Sequence, residues 1–298
     1  MQMQTLQQVQ TGNFSPVDYV RHIVAKGGPV GNEIKKLQEA VNAIRSKEDI
    51  VELNIVLHAQ LTLDTMVGHT YLKPYGYAGD FEIIEKIYAQ KRHANAAIDA
   101  WDQFYHSLDA CDAVRNRKKY FKEVMVNALA SGAKNVLILG SGPCTDLFEY
   151  LTENPANSLQ FTCVDIDATA IKYASEKNAA FMNQITFVHR NIFRYTTTDS
   201  YDLVWSAGLF DYLSDEQFVF IIKKMRAFLT DKGKMIIGNF SENNPSQYCM
   251  EVMGDWYLNH RSPALLTQLG VHAGFEEAAI RVEQEELGIN LFVHYNTL

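Results

Sequence analysis

The sequence predicts an α/β protein in two parts: an all-helical amino-terminal domain over residues 1–132, and over residues 133–298 a doubly wound, seven-stranded, mostly parallel sheet ending in an antiparallel hairpin. Three observations carry this expectation. Apolar residues up to Ser131 recur at helical spacing, with no convincing alternating strand. Beyond Gly132, short β-branched runs alternate with amphipathic segments of helix length, the pattern of parallel β-α units. The last two runs, residues 278–282 and 289–295, are joined by a charged turn too brief for a right-handed helical crossover, so they pair antiparallel.

In chain order, the helical domain shows its period most clearly at Ile50, Val51, Leu53, Ile55, Val56, Leu57, Leu61 and Leu63. Gly27-Gly28-Pro29 and Gly31 interrupt it early, and Lys73-Pro-Tyr-Gly-Tyr-Ala-Gly-Asp80 interrupts it in the middle. Asp80 reads as the N-cap of a helix through Phe81, Ile84 and Ile87. A final helix over about residues 113–130 ends at Ser131-Gly132, where glycine suits the left-handed closing residue. Strands then follow at residues 135–139, 160–164, 185–189, 201–205 and 234–239, before the closing hairpin.

Composition bounds the function. An apolar fraction of 47% with 21% charged residues suits an ordinary folded protein. No stretch approaches the roughly 18 uninterrupted apolar residues of a membrane span. Residues 1–12 are rich in Gln and Thr and lack the basic patch and apolar run of a secretory signal, so the expected address is cytoplasmic. Cys111, Cys144, Cys163 and Cys249 lie far apart, and neither a disulfide nor a metal site is indicated. Of 27 basic and 35 acidic residues, 15 of each precede Ala133, leaving 12 basic against 20 acidic in the sheet domain. The whole net charge of −8 therefore sits there, opposite to what a duplex nucleic-acid binder needs, and no nucleic-acid partner is expected.

The most specific stretch is Asn135-Val-Leu-Ile-Leu139 followed by Gly140-Ser141-Gly142-Pro143-Cys144-Thr145-Asp146 and an apolar helix. Glycines there let the backbone approach a ligand, and the helix start offers unsatisfied N–H groups to it. Pro143 fits a first helical turn. One strand on, Thr162-Cys163-Val164-Asp165 puts a carboxylate where it can accept both hydroxyls of a ribose, roughly twenty residues after the glycines. Asp167 reads instead as the cap of the following helix. Ser214 and Gln217 form a capping box after the run Tyr201–Ala207 and Gly208-Leu-Phe-Asp-Tyr212.

As a set, these features resemble the class I, Rossmann-like methyltransferases that use S-adenosylmethionine and release S-adenosylhomocysteine. The resemblance implies a cofactor site made of Gly140, Ser141, Gly142, Asp165 and Ile166, with Asn191 meeting the adenine amino group and Ile192 lying beneath the base. Ser206 and Ala207 would underlie the methionine portion. The chain departs from the usual G-x-G-x-G at Cys144, which restricts backbone approach there. A nicotinamide-dependent oxidoreductase is the rival reading, but that fingerprint asks for Gly or Ala where this chain has Thr145.

The segments 73–80, Arg115-Asn-Arg117 and Gly208-Leu-Phe-Asp-Tyr-Leu213 are further similar to a bacterial group that includes enzymes of 3-hydroxypalmitic acid methyl ester biosynthesis. That likeness implies methyl transfer to a small molecule, at a carboxylate or hydroxyl oxygen. N-methylation and a catalytically silent cofactor-binding regulator stay open as alternatives. Tyr77 and Asp80 are expected to close over the cofactor from the helical domain, or else to form a capping turn. Arg115 and Arg117 either reach the methionine carboxylate or are solvated. Asp211 and Tyr212, at the edge where such sheets bind ligands, are catalytic candidates. So are His260 and Arg261, at the end of the insertion over residues 240–261, where Trp256 and the methionines would wall an acceptor pocket; the alternative has both solvated at a helix end. A homodimer is left open.

Overall fold

The computed structural model describes residues 15–58 and 61–297. The Gln-rich segment 1–12 lies outside the described residues. Two compact units result. One runs up to Cys111 and takes in Pro245–Tyr257; the other comprises Asp112–Asn244 and Leu258–Leu298.

The first unit is helical among its described residues: α1 (Pro16–Ala25), α2 (Glu33–Ala43), α3 (Lys47–His58), α4 (Met66–Leu72), α5 (Phe81–Ala89), α6 (Ala96–His106) and, much later in sequence, α11 (Gln247–Gly254). Its ends follow local chemistry. Ser15, Thr65, Asp80 and Asn95 each accept N–H groups of the first turn they precede, so the expected cap at Asp80 is present. Gly28 is glycine for a steric reason: at φ +129° a Cβ would stand 2.9 Å from that of Ala100.

The second unit begins with the body of α7 (Asp109–Ala130) and continues β1 (Asn135–Leu139), α8 (Thr145–Glu153), β2 (Gln160–Asp165), α9 (Ala168–Lys177), β3 (Ile185–His189), β4 (Tyr201–Ala207), α10 (Asp215–Arg226), β5 (Leu229–Phe240), α12 (Pro263–His272), β6 (Ile280–Gln284) and β7 (Asn290–Asn296). The sheet order is β3-β2-β1-β4-β5-β7-β6, parallel except for β7, which pairs antiparallel with β5 and β6. This is the doubly wound, seven-stranded sheet with a closing hairpin that the patterning predicts.

Strand alternation builds two apolar layers. Leu137 and Leu139 face α10 and α12 with Val204, Ile237 and Val293. Val136 and Ile138 face α7 and α8 with Cys163, Trp205 and Phe292. Each fully buried Phe, such as Phe121 or Phe292, contributes on the order of 2 kcal/mol.

Several boundaries differ from the sequence expectation, among them the closing hairpin's first strand, Ile280–Gln284 rather than 278–282, and two have a clear physical reason. The break between units falls at Cys111 rather than residue 132, because Phe121, Met125 and Ala128 of α7 pack on the sheet. Periodicity identifies such a helix without saying what it covers. β5 also starts earlier than residue 234, since Leu229 already pairs with Tyr201 before a register shift. The polar Asp231-Lys232-Gly233 at that irregularity hides the strand from a hydrophobic pattern. Among the described residues, no helix is long and apolar enough to cross a membrane.

Candidate functional site

The loop between β1 and α8 makes three left-handed turns, at Gly140 (φ +61°), Gly142 (φ +53°) and Cys144 (φ +50°). Gly140 is packed: a Cβ there would lie 2.9 Å from Cβ of Leu209. Gly142 is open, for a Cβ would meet nothing within 4 Å. Cys144 adopts the glycine-like conformation despite its side chain, which is buried with Leu147 and Cys163 in the core. The Ser141 hydroxyl is buried without a hydrogen-bond partner among the described residues.

Asp165, at the end of β2, meets this loop. Its Oδ2 accepts the Gly142 N–H at 2.8 Å, and its Oδ1 accepts the Asp167 N–H at 2.9 Å. Burial pushes its carboxyl above the usual range, and those N–H donors pull it back. Asp167 caps α9 through the N–H groups of Thr169 and Ala170, as expected. Ile166 stands between them 61% exposed, an apolar side chain left facing outward beside a buried acid. At the end of β3, Asn191 Oδ1 accepts the Phe193 N–H at 2.8 Å, a local turn, and Ile192 is buried.

At the end of β4, the Ser206 hydroxyl donates to the Leu139 carbonyl at 2.9 Å and so ties β4 to β1. Ala207 is half-buried. Gly208 has φ +96°, and a Cβ on it would come within 2.8 Å of Nη1 of Arg117. The buried Arg117 of α7 thus lies against bare backbone at the end of β4. Its positive charge acts on Asp146 in the first turn of α8 and on Asp211, opposing the burial that raises both carboxyls. Asp211 is 2% exposed, accepts the Phe240 N–H at 2.6 Å, and is pushed up to about 6. Tyr212 beside it is 37% exposed.

Sequence reasoning left Arg117 undecided and did not single out Asp146. The signal for Asp146 is available: an acid in the first turn of the helix that follows the glycine loop. Arg117 becomes legible only when α7 is laid across the strand ends.

His260 is half-buried. Its Nδ1 lies 3.2 Å from the Leu258 carbonyl, which can only accept. The proton therefore sits on Nδ1, and Nε2 accepts from the Asn244 amide at 3.1 Å. Arg261 is 1% exposed, which removes the expectation of a solvated end. Its Nε binds Asp215 at 2.9 Å, Nη1 binds the Phe210 carbonyl and Asn239 Oδ1 at 3.1 and 2.7 Å, and Nη2 binds the Leu213 carbonyl at 2.5 Å.

In the helical unit, Asp80 is fully buried. Its Oδ1 caps α5 through Glu82 and Ile83, and both oxygens lie within 3.0 Å of His69 Nε2. Lys86 approaches His69 Nδ1 at 3.3 Å. Tyr77 is half-buried in the same turn. Elsewhere in that unit, Met250, Met253 and Trp256 of the insertion join Val67, Phe104 and Leu108 around a narrow apolar pocket. The Thr70 hydroxyl there donates to the Met66 carbonyl at 2.8 Å and lies 3.0 Å from that of Tyr105. The insertion is thus divided: its helix belongs to the helical unit, and residues 258–261 belong to the sheet unit.

The structure therefore gathers Gly140, Ser141, Gly142 and Asp165 into one cluster and sets Arg117 against the end of β4. Asp211 and Arg261 join a hydrogen-bonded turn in the same unit, whereas Tyr77 and Asp80 belong to the helical unit.

Comparisons with known proteins bear on the fold. Residues 136–233 match a methyltransferase domain. No curated protein matches the chain. Among solved structures, a possible exported protein from Bordetella parapertussis is similar over 94% of both chains, at 17% identity and a TM-score of 0.62. A magnesium protoporphyrin IX methyltransferase from Synechocystis with bound S-adenosylhomocysteine is similar over 76% of this chain and 97% of its own, at 14% identity and a TM-score of 0.55. A putative O-methyltransferase from Nostoc punctiforme is similar over 78% of this chain and 70% of its own, at 14% identity and a TM-score of 0.52. At these identities the likeness is one of fold.

Proposed function

We propose, from the methyltransferase domain matched over residues 136–233, that the chain uses S-adenosylmethionine to methylate an oxygen of a small-molecule acceptor. The observation that carries this reading is the pairing of an open glycine loop with an acid: Gly142 faces free space and its N–H is held by Asp165. The residues present fit a nucleoside with a zwitterionic tail. Open space at Gly142 admits close approach, the Ser141 hydroxyl lacks a partner among the described residues, and Asp165 offers acceptor oxygens to a sugar. The exposed Ile166 and the buried Ile192 would flank the base with Asn191 at its edge. Arg117 would take the tail's carboxylate and Asp146 its ammonium, on the opposite charges of the two side chains.

When bound, the cofactor supplies a methyl group on a sulfonium, open to in-line displacement. The protein's part is then chiefly to orient and to exclude water. A carboxylate acceptor needs no proton removed, whereas a hydroxyl needs one acceptor in reach. His260 is the side chain we assign to that need: its Nδ1 proton is fixed on the Leu258 carbonyl, and its Nε2, which accepts from the Asn244 amide, would exchange that bond for the acceptor's hydroxyl. Tyr212, exposed beside the end of β4, is the other side chain we assign to the acceptor. Asp211 is engaged with Phe240 and is assigned to holding the turn.

Titration calorimetry with S-adenosylhomocysteine tests the reading directly. The parent chain binds it, and Gly142→Val combined with Asp165→Ala weakens binding by about 100-fold or more, since two backbone-proximal contacts and the sugar's acceptor go together. A parent chain that does not bind the nucleoside, or a double variant that binds as tightly, would sink it.

A further inference from the structure

Arg261 and Asn259 concentrate hydrogen bonds on a single short turn. That turn, Phe210–Tyr212, is one turn of 3-10 helix directly after β4. Arg261 donates to the carbonyls of Phe210 and Leu213. Asn259 donates to the Asp211 carbonyl through both its backbone N–H (2.7 Å) and its side-chain amide (3.1 Å), and that amide also reaches the Leu213 carbonyl at 3.1 Å. Asp211 adds a bond in the other direction, to the N–H of Phe240 at the end of β5. The guanidinium is itself fixed by Asn239, by Asp215 and by the ring of Phe218, 4.8 Å away. Residues 259–261 are anchored in turn by the Arg261 N–H on the Phe240 carbonyl.

We propose that residues 259–261 form a strut that sets the height of the turn after β4, and that Arg261 is a positioning residue for methyl transfer rather than a group that touches the acceptor. The inference rests on the methyltransferase reading and adds a cause to it. Leu209, at the head of the turn, packs against Gly140, and Gly208 just before it admits Arg117. A shift of the turn therefore moves two walls of the nucleoside cluster together. Arginine suits the task because its planar fork reaches several carbonyls at once from a buried site, where a buried carbonyl left unpaired is costly.

The test uses the full chain with Arg261→Gln, Arg261→Lys and Asn259→Ala, read by S-adenosylhomocysteine calorimetry and by hydrogen exchange at the amides of Tyr212, Leu213 and Phe240. Asn259 is exposed, so its variant keeps the fold even where Arg261→Gln fails to. Arg261→Gln is expected to bind the nucleoside about tenfold more weakly per folded molecule, and Asn259→Ala about threefold, with faster exchange at those amides in both. Arg261→Lys recovers part of the affinity. A merely structural arginine would lower the melting temperature and leave the folded protein's affinity intact, so unchanged affinity and exchange in Asn259→Ala and in folded Arg261→Gln overturn the proposal. If the parent chain binds no nucleoside, the methyltransferase reading falls by itself. The strut is then decided by exchange alone: faster exchange upholds it, and parental exchange removes it.

Discussion

Two glycine-punctuated turns in this chain end in an aspartate, residues 73–80 in the helical unit and residues 140–146 in the sheet unit, and as sequence they look equally suited to hold a ligand. In the structure they differ in what their polar groups already do. Asp80 caps α5 with one oxygen and turns both towards the buried imidazole of His69. The N–H groups of Glu82 and Ile83 are both taken by Oδ1, and the single His69 Nε2–H is shared between the two oxygens, so the buried carboxylate is held by three donors of the chain. In the sheet unit, Asp165 serves the second turn from the neighbouring strand. It bonds to backbone N–H groups, beside a glycine that faces open space and a serine hydroxyl without a partner among the described residues. Glycine and acid together mark a turn; they mark a binding site only where acceptors and space are left over.

Asp80→Ala probes the closed member of the pair and carries the largest expected cost. It removes an N-cap, worth about 1 kcal/mol, and leaves the buried His69 Nε2–H without its acceptor, worth about 1–3 kcal/mol more. Denaturant unfolding should register a loss of about 3 kcal/mol, while the folded variant binds S-adenosylhomocysteine within about twofold of the parent. Tyr77→Phe should likewise leave the nucleoside affinity within about twofold of the parent. A fall in nucleoside affinity in either folded variant would return residues 73–80 to the binding site and break the comparison.

Asp211 stands between the two extremes, buried and holding one backbone N–H. Its carboxyl rises to about 6 because burial disfavours the charge, partly offset by that hydrogen bond and by Arg117 and Arg261. A carboxyl raised in the folded state holds its proton more tightly there than in the unfolded chain. Its contribution to stability is complete below about pH 4 and is lost as pH rises through about 6. Asp211→Asn mimics the protonated form without titrating. The parent should therefore lose, relative to the variant, on the order of 2 kcal/mol of unfolding free energy between pH 4 and pH 7. A difference between the two proteins that stays flat across that window would show that Asp211 titrates normally.

What the sequence made legible was local. The strand–glycine–helix run at residues 135–153, the acid closing β2, the caps at Asp80, Asp167 and Ser214, and the final hairpin each follow from periodicity and turn chemistry within a few residues. What it hid was juxtaposition across the chain. Arg117 meets Gly208 only because α7 lies on the sheet, and Arg261 holds Phe210 and Leu213 only because the insertion returns beside β5. An arginine before a strand and one after an insertion look alike as surface cations. The packing that buries both is set by residues far from either, so no local pattern announces it.

The smallest expected effect sharpens the comparison most, because it is made two residues from the proposed sugar-binding acid. Asp167 and Asp165 follow the same strand, and Asp167 directs one oxygen to the N–H groups of Thr169 and Ala170 at 2.8 and 3.2 Å, opening α9. Replacing it with alanine should cost about 1 kcal/mol of stability, the ordinary worth of an N-cap. Nucleoside affinity should hold within about twofold, since Asp165 receives the Asp167 backbone N–H, which alanine retains. Asp165→Asn gives the opposite profile: stability moves little, because an amide oxygen can still accept one of the loop's N–H groups, and affinity falls by about tenfold or more as a charged acceptor is lost. Stability and affinity would then separate between neighbours of the same residue type, according to whether each carboxylate only caps a helix or borders the open glycine loop. If both substitutions lowered affinity alike, the distinction between engaged and available acids would fail at the place where it is drawn most finely.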